Sequence, residues 1–116
     1  MVRLEYAQVV RRKLQNLRNE LTQNYGEDNS KKIICNITKG IRRLEIFPQS
    51  GTRISSQYDI ECDYRYIFIE HNYFFYRIKD KNTILILEMF HEREDFIRNL
   101  FGIVTTSQET IDYWRE

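Results

Sequence analysis

Ionisable side chains follow Phe90 without interruption: His91, Glu92, Arg93, Glu94 and Asp95. An imidazole with an ordinary pKa can take or give a proton near neutral pH, and an arginine fork matches the oxygens of a phosphate. Cutting RNA by attack of a ribose 2′-hydroxyl needs a base, cations for the phosphorane charge and an acid for the leaving oxygen. His91 is the candidate acid or base, and Arg93, Arg65 and Arg77 are the candidate cations. Such a nuclease would work without a metal. Each residue also has a plainer reading. Arg93 and Asp95 can pair with each other or with Glu92 and Glu94. Arg65, expected on the core-facing side, suits bonding to loop carbonyls. Arg77 opposite Glu88 reads as a cross-strand ion pair.

The elements that must hold these groups show in the hydrophobic period. Residues 64–70, 73–79 and 83–90 read as three strands joined by short turns at His71-Asn72 and Asp80-Lys81, with Asn82. Two-residue turns would place Ile67, Ile69, Phe74, Tyr76, Ile78, Leu85, Leu87 and Met89 on one face. The other face would carry Tyr64, Tyr66, Phe68, Glu70, Tyr73, Phe75, Arg77, Lys79, Ile84, Ile86, Glu88 and Phe90. A one-residue slip in either turn exchanges the faces of every strand beyond it. This register brings His91 and Arg93 to the His71-Asn72 turn. The second face is too apolar for a bare surface, so Tyr66, Phe68, Phe75, Ile86 and Phe90 are read as a partner-binding set.

Upstream, residues 2–6 alternate as a short strand, then Ala7, Val10, Leu14, Leu17 and Leu21 step by threes and fours along one side of a helix. Arg11, Arg12, Gln15, Arg18, Asn19 and Gln23 take its other sides. Gly26 stops that helix, and Asp28-Asn29-Ser30 offers caps for a second one through Ile34, Ile37, Ile41 and Leu44, ended by Pro48. Lys31, Lys32, Lys39, Arg42 and Arg43 read as its solvated side. Residues 49–60 are polar and read as a loop of undetermined shape. Beyond Asp95, Phe96, Ile97, Leu100 and Phe101 have helical spacing. Thr106 with Glu109 resembles a capping box opening a last short helix through Ile111, Tyr113 and Trp114.

The expected fold is α+β: an N-terminal strand, an antiparallel helical hairpin, and a three-stranded antiparallel meander in one sheet with the helices on one face, then a short C-terminal helix. One domain spans 1–102, with a tail over 103–116. The 116 residues suit a single core, being 41% hydrophobic and 14% aromatic. A formal charge of +1, from 18 basic and 17 acidic residues, gives no global reason for tight non-specific nucleic-acid binding. Cys35 and Cys62 lack CxxC spacing and a nearby His, so neither a metal nor a cofactor is expected. Cys35, among Ile33, Ile34 and Ile37, reads as a buried thiol in a reducing compartment. No secretory leader and no span of about 20 apolar residues is visible, so a cytoplasmic protein without membrane contact is expected.

The order of these elements resembles the RelE/ParE superfamily of bacterial type II toxins. Leu44-Glu45-Ile46-Phe47-Pro48, then Gly51 and Arg53, are similar to its helix-end segment with a G-x-R before the sheet. Tyr64-Arg65 resembles the opening of its central strands, and Tyr76-Arg77-Ile78 and Ile84-Leu85-Ile86-Leu87 the next two. His91, Arg93 and Asp95 resemble its terminal H-x-R-x-D. The resemblance implies a cognate antitoxin whose tail wraps the toxin, with DNA contacted only through that antitoxin. It implies either inhibition of DNA gyrase or cleavage of messenger RNA in the ribosome. The ribonuclease branch carries a Lys/Arg-rich central strand, where this chain has Ile67, Phe68, Tyr73 and Phe74. It also often has a Tyr or His near the C-terminus, where this chain has Asn99 and Leu100. These departures put a gyrase-type target first and ribosome-dependent cleavage second. A non-toxic member acting only in a repressor complex comes third.

Overall fold

Helical stepping along the first third of the chain produces two helices with almost nothing between them. In the computed structural model, which describes residues 2–57 and 61–94, α1 runs over Gln8–Tyr25 and α2 over Glu27–Arg42. Gly26 alone joins them, at φ 88, a conformation that a side chain would resist. Asp28, Asn29 and Ser30 therefore lie within the opening turns of α2 and do not cap it through their side chains. Instead Asn29 Nδ2 donates back to the Tyr25 carbonyl at 2.9 Å, and the buried Ser30 hydroxyl donates to the Arg18 carbonyl at 3.1 Å. Those bonds tie the hairpin at its tip. At the other end α2 stops short of Pro48, passing into a 3-10 turn over Arg43–Glu45. Cys35 is exposed, because it falls on the solvent side of α2 despite its isoleucine neighbours.

A five-stranded sheet lies beneath the hairpin in the order β1-β5-β4-β3-β2. Its strands are β1 (Arg3–Tyr6), β2 (Thr52–Arg53), β3 (Arg65–Ile69), β4 (Asn72–Asp80) and β5 (Thr83–His91). Only the β1–β5 pair is parallel, with Arg3 opposite Thr83; the other pairs are antiparallel. The expected α+β arrangement is thus present, with the helices on one face. The segment expected as a plain loop contributes β2 and one helical turn, α3 (Ile54–Gln57). The helical readings beyond Asp95 and the tail over 103–116 lie outside the described residues.

Register decides which side chains meet the helices. The first hairpin turns at Glu70-His71, one residue earlier than expected, since Ile69 pairs with Asn72. That shift preserves parity, so Ile67, Ile69, Phe74, Tyr76 and Ile78 lie under the helices as expected. The β4–β5 pairing breaks the expectation. Asp80 pairs with Thr83 but Ile78 with Ile84, which leaves Lys79 as an extra residue in β4. Ile84 and Ile86 therefore join the helix-side core, fully buried, and Leu85 falls opposite Arg77. Tyr76 pairs with Ile86 but Phe75 with Glu88, which leaves Leu87 as an extra residue in β5. Past this second bulge the expected sides return: Met89 faces the helices and Phe90 does not.

Val10, Ile37, Ile41 and Leu44 complete this core, with Leu14 and Leu17 half-buried against it. A Cβ on Gly40 would strike Ile69 Cδ1, so α2 sits directly on β3. Ile37→Ala should destabilise the fold by about 2–5 kcal/mol and Leu17→Ala by roughly half as much, in urea titrations. Equal losses at the two positions would contradict this packing.

Candidate functional site

The end of β5 is built around a strained turn. Glu70 and His71 both have positive φ, 51 and 65, a region that non-glycine residues rarely occupy. Bonds from three directions hold them. Asn72 Nδ2 donates to the Glu70 carbonyl at 2.8 Å and Asn36 Nδ2 to Glu70 Oε1 at 3.2 Å. The Glu92 amide donates to the His71 carbonyl at 2.8 Å. Such strain persists only where the surroundings over-determine it, and it clusters at working parts of proteins.

His91 pairs with Asn72 across the strands, so the His91 cluster does meet this turn. The His91 amide donates to Glu94 Oε2 at 2.7 Å, and the Arg93 amide donates to His91 Nδ1 at 3.2 Å. His71 Nδ1 lies 3.2 Å from Glu92 Oε1. The side chains of His91, Glu92, Arg93 and Glu94 are all exposed, and Asp95 lies outside the described residues.

Arg65 and Arg77 are elsewhere. Arg65 pairs with Tyr76, four residues along β4 from the partner of His91, or about 13 Å at strand spacing. Its guanidinium donates from Nη1 to the carbonyls of Gln49 and Gly51, at 3.2 and 3.1 Å. Arg77 faces the other side of the sheet, opposite Leu85, and its buried Nε has no hydrogen-bond partner among the described residues. The expected Arg77–Glu88 pair does not form: Glu88 stands opposite Phe75, two residues along β4 from Arg77. Glu88 binds Lys13 instead: Lys13 Nζ donates to Glu88 Oε1 at 2.8 Å and to the Met89 carbonyl at 3.0 Å. The same ammonium stands 4.3 Å from the Phe90 ring centroid. Among the described residues, no group of three or more His, Cys, Asp or Glu side chains is placed to hold a metal ion.

The expected partner face is partly covered by the chain itself. Ile54, fully buried at the start of α3, packs with Phe75 and Phe90, which are 0% and 4% exposed. Cys62, Tyr64, Tyr66 and Tyr73 pack around them. The Phe75 and Phe90 rings lie 5.8 Å apart, edge to face. Ile86 is not on this side at all, and Phe68, 49% exposed, is the ring left open. A more accessible apolar surface is a groove of about 360 Å³ along the helices. Half-buried Leu14, Ile34 and Tyr6 line it with the exposed Arg11 and Arg18, over a floor of the buried Ile37 and Ile41.

Sequence reasoning passed over Tyr76 as simple core. Its hydroxyl donates to the Pro48 carbonyl at 2.8 Å and accepts the Gly51 amide at 2.9 Å. A core-facing tyrosine must satisfy its hydroxyl somewhere, and that need was the available signal.

A family model described as the ParE toxin of the type II toxin-antitoxin system parDE matches residues 4–96. Among solved structures, a chain of a chromosomal ParDE toxin-antitoxin system from P. aeruginosa is similar at a TM-score of 0.64 and 17% identity. The similarity covers 78% of this chain and 96% of that one. No curated protein sequence matches significantly.

Burial raises the Tyr76 hydroxyl above its ordinary pKa of 10.0, against the opposing pull of the Gly51 amide and the Arg65 charge. A raised acid of this kind contributes stability that is complete below the unfolded pKa and lost as pH rises through the folded one. Tyr76→Phe should cost about 1–3 kcal/mol at neutral pH, through the unpaired Pro48 and Gly51 groups. It should also flatten the alkaline loss of stability above pH about 10. Denaturant titrations of both proteins across that range measure both effects.

Proposed function

This chain belongs to the ParE toxin family of type II toxin–antitoxin systems, and from that premise we propose that it arrests growth by binding a protein target such as DNA gyrase. The observation carrying this reading is the charge around His91. Glu70, Glu92 and Glu94 crowd the turn that holds it, and Arg93 is the one arginine beside them among the described residues. RNA is a polyanion and would approach that end against its field. The further cations that phosphoryl chemistry needs are four and five residues away along β4, about 13 Å and about 17 Å, one bonded to loop carbonyls and the other on the opposite face.

Neutralisation by a cognate antitoxin is part of this proposal, supported by the similarity to a chain of a toxin–antitoxin assembly. The groove along α1 and α2 suits an amphipathic tail: half-buried Leu14 and Ile34 for its apolar side, Arg11 and Arg18 for carboxylates at its edge. The rings of Phe75 and Phe90 are already covered. Target and antitoxin would both be met in the cytoplasm.

Induced expression without antitoxin should stop growth and inhibit gyrase supercoiling, with no new cleavage ends in ribosome-associated messages. His91→Ala should retain the arrest. Message ends that vanish in His91→Ala or Arg93→Ala would establish ribosome-dependent cleavage instead. Normal growth would leave a partner acting only within a repressor complex.

A further inference from the structure

Tyr25, Ile46, Phe47 and Phe68 are the large apolar side chains exposed among the described residues, and two of them are consecutive. Ile46 is 66% and Phe47 62% exposed. They stand on the link between the 3-10 turn and β2, with Pro48, Gln49 and Ser50 completing a shallow apolar surface.

This link is fixed along its length. The amides of Ile46 and Phe47 both donate to the Arg43 carbonyl, at 3.1 and 2.9 Å, and the Ser50 amide donates to the Phe47 carbonyl at 3.1 Å. Tyr76 takes the Pro48 carbonyl and the Gly51 amide, and Arg65 takes the Gln49 and Gly51 carbonyls. A Cβ on Gly51 would come within 2.8 Å of the Tyr66 carbonyl, so the loop is pressed against β3. Its core-side anchors and its outward apolar side chains are thus separate sets. A loop so held loses little conformational freedom when something docks on it, and contact energy then goes into affinity.

The nearest charges left without an ion pair among the described residues are arginines. Arg43 and Arg53 are exposed and make no ion pair among the described residues. Arg53 also pairs across the strands with Arg65. Glu45, the acid nearest the loop in sequence, is bound to Arg42 at 3.1 Å. Glu61 and Asp63 come past the bond from the Ile54 amide to the Tyr64 carbonyl. A second copy of this chain is a poor occupant, because a symmetric contact would set Arg43 and Arg53 against themselves. Single-stranded nucleic acid is also poor, since Phe47 is the one exposed ring on this surface among the described residues, and a strand needs successive rings to stack its bases.

We propose that the Ile46–Ser50 loop is a docking surface for a protein partner whose contacting segment combines apolar side chains with carboxylates. It is distinct from the groove along the helices. Tyr6, at the groove, ends β1, whose start is tied to the loop side by the Val2 amide and the Glu45 carbonyl at 3.2 Å. The two surfaces share no lining residue but adjoin, since the groove also reaches Ile41, two residues before Arg43.

The test is amide NMR of the full chain with a synthetic alternating Leu/Glu peptide and a Leu/Lys counterpart. The acidic peptide should shift Arg43, Ile46, Phe47 and Ser50, and the basic one should not. Phe47→Ser and Arg43→Glu, both at exposed positions, should each weaken this response about ten-fold, as loss of an interface anchor does. Shifts at Arg11, Arg18 and Ile34 would report the groove separately, so failure at one surface is distinguishable from failure at the other. Equal binding of both peptides, no shift at the loop, or displacement by short single-stranded DNA would overturn the proposal. So would a dimer in sedimentation that Phe47→Ser dissolves.

Discussion

Two unpaired residues, Lys79 in β4 and Leu87 in β5, set the composition of both faces of the sheet. The first turns Ile84 and Ile86 to the helix side and the second restores the register for Met89. Alternation along β5 would otherwise run unbroken from Thr83 to His91, and Ile84 and Ile86 could not share a side with Met89. The bulge at Leu87 lets all three lie under the helices, where they meet Phe74, Tyr76, Ile37 and Ile41. It also returns Glu88 and Phe90 to the far side, where β1 has already ended opposite Ile86. The open edge left there is met by Lys13 from α1, whose ammonium takes the Met89 carbonyl and Glu88 together. An edge carbonyl so occupied cannot accept a strand from another chain, which is one way natural sheets avoid edge pairing.

A second constraint works from the centre of β4. Tyr76 is fully buried, yet its hydroxyl reaches the Pro48–Gly51 link and closes two of its backbone bonds. With that link fixed, the chain leads directly into β2 and then α3, which sets Ile54 on Phe75 and Phe90. One tyrosine on the helix side of the sheet thereby governs what covers the other side. The apolar display of Ile46 and Phe47 comes from the same anchoring.

Much of this was legible in the residues. Stepping at Ala7, Val10, Leu14 and Leu17, and at Ile34, Ile37 and Ile41, gave both helices, because a 3.6-residue period needs no knowledge of partners. Alternation gave the three long strands, and the first hairpin kept its faces even though its turn moved, since that shift preserved parity. The bulge at Leu87 was illegible: Ile84, Leu85, Ile86 and Leu87 are apolar without a break, so nothing in their types marks the extra residue. Residues 49–57 were opaque for a related reason. Their order depends on long-range bonds to Tyr76 and Arg65 and on the burial of a single Ile54. Of the candidate site, the meeting of His91 with the first turn could be read from register. The same register sets Arg65 and Arg77 several residues from that turn; what it could not show is that Arg65 is taken up by the Gln49 and Gly51 carbonyls, in a segment without a readable pattern.

Charge completes the picture of a molecule with two unlike ends. A net charge of +1 hides a segregation. Glu70, Glu92 and Glu94 gather with His71 and His91 at the first hairpin turn. Arg43, Arg53 and Arg65 gather at the opposite end of β3, and Arg11 and Arg18 line the helical groove. Opposed fields of this kind orient a charged partner before contact and add more to encounter rate and register than to affinity. A partner drawn to the basic end by its carboxylates would be turned away from the His91 end by the same charges. That division sets the carboxylates of the histidine end, among the described residues, against the approach of a phosphate backbone.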